Sequence, residues 1–355
     1  MLIKRKLTVI ILALTFLSTG SSQTFPSNRD RGLKVMTYNM YLGSELGDIF
    51  TAQSPPDVLL EVAEAYSDML QGNVPERIAA IADQIENAEP VLVGLQEVAL
   101  WRVGAPFDQA PATNVTYDFL QILLDDLESR NLHYAPIAIQ TNLDAELPGV
   151  FGPTEALDIR YTDRVVILAR TDLPESEFKL EETAAQNFAT NLTVPVLGSP
   201  VTILRGWTSA DAKFRGKAYR FVNGHLESYS ELIQNAQAQE LVDGPAATTR
   251  AVILVGDFNS DAEAGGSSYQ ILTASGLRDV WRELYPANPG FTWPLSGEIP
   301  SDELMPTQRL DLILTRGRIS FANVDVVGEE VVDETPSGFR PSDHAGLLGS
   351  IVLEP

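Results

Sequence analysis

The stretch Ala251 to Asp261, AVILVGDFNSD, decides how this chain is read. Ala251 to Val255 is an apolar, largely β-branched run of one strand's length, without the alternation that a strand with one wet face would show. Gly256 then lets the backbone turn. Asp257 and Asn259 are separated by one aromatic residue, so at strand spacing both project to one side and set a carboxylate beside a carboxamide at a sheet edge. An Asx turn closing an ordinary strand would use the same letters. Further apolar strands of this chain also end in residues capable of chemistry, which tips the reading toward a site.

Upstream, Leu33 to Tyr41 (LKVMTYNMY) reads as a strand with Asn39 near its end. Val91 to Leu95 is a second apolar run, followed directly by Gln96 and Glu97, a glutamate that either caps or stands ready as a ligand. Helical spacing covers Pro55 to Leu70 and Pro75 to about Ala88, and Tyr117 to Arg130 is an amphipathic helix. Residues 102–116 and 141–160 read as loops, and 171–200 shows no clear pattern. His133 to Ile139 is a strand in which His133 is structural. Val165 to Ala169 is a buried strand entered through Tyr161 and Asp163. Val201 to Lys213 and Lys217 to Glu227 read as two strands joined by a tight turn at Arg215 and Gly216, the second ending in His225.

Downstream of a helix over Ser230 to Val242 and the opening strand, a helix is expected over Ser268 to Ala274. The aromatic segment Gly290 to Pro294 lines or covers something. Leu310 to Leu314 is a strand carrying Asp311, with Arg309 beside it, and Ile319 to Val327 is another. Ser342, Asp343 and His344 precede a last strand, Ala345 to Leu353.

A chain of 355 residues, 44% of them hydrophobic, can bury a large core as one big α/β domain or two ordinary ones. Residues 1–23 read as a secretory leader: Lys4, Arg5 and Lys6 are the basic start, Leu7 to Leu17 an apolar run too short to span a bilayer, and Ser18 to Gly20 a small-residue cleavage zone. The expectation is therefore export to a periplasmic or extracellular space, without stable membrane insertion. The absence of cysteine excludes disulfide stapling and lipid attachment through a thiol. A formal net charge of −23 opposes loose binding to nucleic acid, and loss of the leader would take it to about −26. A bound divalent cation can reverse that sign locally, so a nucleic-acid substrate stays open. No feature of the sequence calls for an obligate protein partner.

The chain has no G-x-S-x-G, no glycine-rich phosphate loop and no H-E-x-x-H. What it has is Asn39, Glu97, Asp163, His225, Asp257, Asn259, Asp311, Asp343 and His344, each beside an apolar strand. Carboxylate and amide oxygens with few histidines suit Mg2+ or Mn2+ better than zinc. Two histidines with candidate carboxylate partners suit phosphoryl binding and proton handling, and water attacking phosphorus at a metal is the simplest reaction using them all.

LKVMTYN, VGLQEV, NGHLE, LVGDFN, RLDLIL and PSDHAGLL, in this order from Leu33 to Leu353, resemble the endonuclease/exonuclease/phosphatase superfamily, which includes DNase I, abasic-site endonucleases, neutral sphingomyelinases and inositol polyphosphate 5-phosphatases. The resemblance implies a DNase I-like four-layered α/β sandwich, two packed mixed sheets flanked by helices, and hence one catalytic domain over 24–355. It implies Glu97 as metal ligand with Asn39 beside it and Asp343 near the metal. Asp257 would orient and deprotonate the attacking water, and Asn259 would contact the phosphate. His344, partnered by Asp311, would stabilise the scissile group. His225 would be the second histidine, with Tyr161 and Asp163 supplying its acidic partner, and Arg205 a looser match for a phosphate arginine.

The departure from the pattern is the long stretch between Asn39 and Glu97, which inserts an extra helix near the site rim. The activity implied is metal-dependent hydrolysis of a phosphoester, a phospholipid head group or small phosphoester rather than DNA. A secreted DNase I-like endonuclease is the alternative, and a binding protein that kept the fold without the chemistry is the other.

Overall fold

The run 251–255 has no polar position because its two faces enter two different cores. Ile253 and Val255 lie in the layer between two sheets, while Val252 and Leu254 face the opposite way, under helices. The computed structural model describes residues 32–107, 110–196, 199–295 and 305–354. The expected leader, 1–23, lies outside them. From Gly32 the chain packs as one compact unit.

In chain order the elements begin with β1 (Leu33–Asn39), α1 (Gly47–Thr51), α2 (Pro55–Gln71), α3 (Val74–Ala88), β2 (Leu92–Gln96), β3 (Leu100–Gly104), β4 (Asn114–Asp118) and α4 (Phe119–Ser129). There follow β5 (Tyr134–Gly152), β6 (Glu155–Arg170), β7 (Phe178–Asn187), β8 (Leu192–Val196), β9 (Ser199–Ile203), β10 (Gly206–Phe214) and β11 (Lys217–His225). The chain ends with α5 (Glu231–Asp243), β12 (Ala251–Asp257), α6 (Ser267–Ala274), β13 (Arg278–Asp279), α7 (Val280–Leu284), β14 (Asp311–Arg316), β15 (Ile319–Val327) and β16 (Gly346–Leu353).

One mixed sheet runs β15-β16-β1-β2-β6-β3-β4, with β5 also paired to β6. The other runs β13-β14-β12-β11-β10-β7, and β8 with β9 form a separate hairpin. The sheets pack face to face through Val35, Ile167, Phe221, Ile253 and Ile351 among others. Gly94 shows how close they come: a Cβ there would lie 2.7 Å from Val255 and 2.9 Å from Asn223 of the facing sheet. α5 and α6 cover the second sheet, and α2, α3 and α4 lie on the side of the first. This is the four-layered sandwich. Local signals start the helices where expected: Ser54 caps α2 by accepting the Asp57 N–H, with Pro55 and Pro56 in the first turn.

The structure corrects several readings. Residues 102–116 take in the end of β3 and the start of β4, and 141–160 lie in the β5–β6 hairpin. These strands are half-exposed and carry Pro148 and Gly149 within the paired ladder, so they show no apolar run. Cross-strand polar pairs such as Arg160 with Asp144, 2.8 Å, help hold them instead. The expected strand over Val201 to Lys213 breaks at Leu204 and Arg205, because the backbone of Arg205 leaves the ladder to bond Asn191 and Phe188. Gly256 does not turn the chain. It sits within β12 at φ +144, where a Cβ would strike the Gly224 carbonyl of β11, and the turn follows Asp257. His133 precedes β5, partly exposed and 3.1 Å from Glu128.

Candidate active site

Both sheets contain one parallel pair, β1 with β2 and β11 with β12, and each pair ends at the same place. Register does the rest. Across the second sheet Gly206 stands opposite His225, His225 opposite Asp257, and Asp257 opposite Asp311, so one row carries a base, two acids and the neighbour of Arg205. In the first sheet Asn39 stands opposite Gln96, which places Glu97 one residue beyond the ladder. Glu97 has φ +53, a left-handed conformation unfavourable for a side-chain-bearing residue. His344 enters from the segment before β16.

These strand ends enclose a cavity of about 350 Å³. Glu97, Tyr161, Asp163, Arg205, His225, Asp257, Asn259, Asp343 and His344 all line it. Asn39 and Asp311 lie behind the wall, fully buried, and act through others. Asn39 donates from Nδ2 to Asp257 Oδ2 at 3.0 Å, and its Oδ1 accepts the Tyr41 N–H at 3.0 Å. The Tyr41 bond orients the carboxamide and its Nδ2 positions Asp257, a contact with the acid that the sequence did not suggest.

Asp257 sits between two imidazoles. Its Oδ2 is 3.5 Å from His225 Nε2 and 3.7 Å from His344 Nε2, and its Oδ1 accepts the Asn259 N–H at 2.9 Å. Burial alone would raise its pKa, but the two rings and the hydrogen bonds from Asn259 and Asn39 outweigh it and hold the carboxyl below its ordinary value. The side chain of Asn259 is itself tied to the Leu226 carbonyl at 3.0 Å.

The two histidines are tuned in opposite directions. Burial opposes protonation of His344, yet the carboxylates of Asp311, Asp257 and Asp343 overcome it and hold the ring well above its usual pKa. The contact is direct, Nδ1 to Asp311 Oδ2 at 2.8 Å. For His225, burial and the Arg205 guanidinium push the pKa down to about 3 against the pull of Asp257. At neutral pH one ring is a cation and the other is neutral.

Asp163 does not hold His225. Its Oδ2 accepts from Asn142 Nδ2 at 2.9 Å and lies 4.0 Å from Arg205 Nη1, which in turn lies against the His225 ring, 3.1 Å from Nδ1 and 3.2 Å from Nε2. An arginine therefore stands where a direct acid–histidine bond was expected. It can do so because the break between β9 and β10 frees its side chain from the ladder's alternation.

On the opposite wall Glu97 Oε2 accepts the Leu42 N–H at 2.8 Å. Burial and the nearby Asp343 and Asp163 carboxylates push Glu97 up to about 8, and Asp343 is raised by burial as well. Carboxylates that raise one another are relieved by a cation, and an all-oxygen set suits a hard divalent ion. Asp257, Asp311 and His344 also bring ligand-type atoms within 4.8 Å of one another. There, however, the closest atoms are already joined as the Asp311–His344 hydrogen bond, so Glu97 and Asp343 fit a metal better.

Sequence reading missed a buried network joining the sheets: Asn223 donates to the carbonyls of Leu95 and Val166, both at 3.0 Å, and accepts from Gln96 Nε2. Its position two residues before His225, on the same strand face, was the available signal. Asn142 lay in a segment taken for loop, and Trp293, on the cavity wall, belongs to the aromatic segment noted above.

A family model described as the Endonuclease/Exonuclease/phosphatase family matches residues 36–344. Among solved structures, a family protein from Leptotrichia buccalis C-1013-b superposes with a TM-score of 0.55 at 17% identity, covering 90% of this chain and 99% of that one. A mannosyl-6-phosphatase from Bacteroides thetaiotaomicron VPI-5482 gives 0.53 at 18%, covering 90% and 99%. D. rerio TDP2 complexed with single-strand DNA product gives 0.51 at 17%, covering 91% and 99%. No curated protein matches the sequence.

Proposed function

This chain belongs to the endonuclease/exonuclease/phosphatase family, whose members are hydrolases acting on phosphoester bonds with divalent metal ions, and from that premise we propose that it is an exported Mg2+- or Mn2+-dependent phosphoesterase of small or lipid-derived phosphoesters. The observation that carries the reading is the place of Asp257, its Oδ2 3.5 Å from His225 Nε2 and 3.7 Å from His344 Nε2, in a cavity that Glu97 and Asp343 also line.

A divalent ion held by Glu97 and Asp343 would supply Lewis-acid polarisation of a phosphoryl oxygen. Asp257 orients the attacking water and accepts its proton. Its lowered pKa makes it a weak base but keeps it ionised, and phosphoryl transfer through a loose transition state asks more for placement than for basicity. His344 donates from Nε2 to a phosphoryl oxygen, its charge fixed through Nδ1 by Asp311. The neutral His225 and the Arg205 guanidinium bind the oxygens on the other flank.

The size of the cavity, about 350 Å³, suits a small ligand, and a net charge of −23 weighs against a polyanion. The test is turnover by purified protein with Mg2+ or Mn2+ of bis-para-nitrophenyl phosphate, para-nitrophenyl phosphate, sphingomyelin and single-strand DNA. Metal-dependent turnover of a small or lipid ester, with DNA slower, is the expected result. DNA as the preferred substrate would make it a nuclease, and no turnover of any would leave a binding protein.

A further inference from the structure

Beside the catalytic cavity lies a second, apolar one of about 50 Å³, and the two share Leu46, Phe50, Leu143 and Tyr161 as common wall. It is built by parts with no role in the chemistry. α1 supplies Ile49 and Phe50, α2 supplies Val62 and Ala65, and β5 supplies Ala145 and Leu147. The one indole N–H at its floor, that of Trp101, is already donated to the Leu42 carbonyl at 2.9 Å.

α1 leaves Ile49 and Phe50 only partly buried, Phe50 packing edge-on against Tyr229, so each still shows apolar surface to the cavity. Apolar side chains left half-exposed along a concave wall continuous with a phosphate-sized polar site are paired with something that has an apolar part.

We propose that this annex binds a short alkyl or aryl group attached to the phosphoryl group, making the chain selective for amphiphilic phosphoesters. The proposal rests on the phosphoesterase reading for the position of the phosphate and adds the class of its substituent. The occupant follows from continuity: a group reaching the annex from the catalytic cavity passes Leu46, Phe50, Leu143 and the ring of Tyr161, a wall whose one polar side-chain atom is the Tyr161 hydroxyl. The small volume admits a few methylenes or one ring edge, and any longer chain must emerge past α1. Selectivity then has a measurable slope, because each methylene moved from water into an apolar wall is worth about fourfold in affinity.

The test separates the two readings. n-Alkylphosphonates from methyl to octyl, which cannot be hydrolysed, are titrated calorimetrically into the full chain with Mg2+. Methylphosphonate reports the phosphate site. The tightening of Kd with chain length reports the annex, and it should be about fourfold per methylene for the first few carbons, with an increasingly negative heat-capacity change, and then level off.

Ala145→Phe, which fills the annex from the hairpin, and Ile49→Ser, which wets it from α1, should each flatten that slope, with circular dichroism confirming the fold. A Kd independent of chain length with methylphosphonate still bound would overturn the annex alone. No binding of any phosphonate would overturn both readings, and a slope that persists unchanged in Ala145→Phe would place the apolar contact elsewhere.

Discussion

The Nδ1 of His344 and the Oδ2 of Asp311 are 2.8 Å apart, and Asp311 has no exposure to solvent. The carboxylate therefore spends its charge on one ring, fixing its orientation and its proton together. Asp311→Asn should then cost about as much kcat as His344→Ala, on the order of 10²-fold or more, and the double variant should be no worse than either, because the pair acts as a unit. Additive losses in the double-mutant cycle would show that the two act separately.

With His344 held well above its usual pKa and His225 down at about 3, neither ring changes charge near 6.5. Ring resonances followed by NMR should therefore show neither imidazole titrating near 6.5, although Asp311, pushed up to about 6 by burial, titrates close by. A ring midpoint near the ordinary histidine value would contradict the opposite tuning of the two rings.

Asp257→Asn keeps shape and removes the proton acceptor. Asparagine closes an Asx turn as well as aspartate does, so a turn residue would tolerate the change. A loss in kcat of at least about a hundredfold with little shift in Tm is expected. Near wild-type turnover would reduce Asp257 to a turn residue and remove the proposed mechanism.

Glu97 ties metal binding to pH. Without metal its pKa is raised from 4.5 to about 8, so the unfolded chain loses this proton before the native one does. Metal-free stability should therefore fall as pH rises from about 4.5 to about 8, and added Mg2+ should restore it. Below about 8 a binding cation must displace the proton, so Mg2+ affinity should rise nearly tenfold per pH unit and then level off. Calorimetry in buffers of different ionisation heat should show close to one proton released at pH 7, and none in Glu97→Gln.

Arg205→Ala removes the cation that helps keep His225 neutral. The ring should titrate above 3, readable by NMR, because only burial and the charge of His344 remain to oppose the pull of Asp257. Activity should fall about 10- to 100-fold, the worth of one charged hydrogen bond in the transition state. Asp163→Asn, acting only through the guanidinium, should move His225 less. An equal or larger shift would restore a direct Asp163–His225 link.

The polar strand ends were legible because each adjoins an apolar run that the cores demand, and the buried strands at 251–255 and 91–95 announced themselves for the same reason. The β5–β6 hairpin was not, because its polar alternation and Pro148 read as loop when its partners across the ladder are unknown. Arg205 was underweighted for a related cause. Its reach into the cavity depends on a break between β9 and β10 that is made by the distant Asn191. Asn39 sat in the right motif, but whether its carboxamide serves a cation or Asp257 is a matter of ångströms, which letters do not carry.

Asn223 has a mechanical consequence. The halves of the cavity sit on separate sheets that share no backbone ladder, and its carboxamide clasps the carbonyls of Leu95 and Val166 on the facing sheet. It acts as a dowel between two plates, resisting sliding that greasy contacts would permit. A chain without that dowel can keep its layers and its melting point yet let Glu97 drift relative to Asp257, so catalytic alignment would be lost well before the sandwich comes apart.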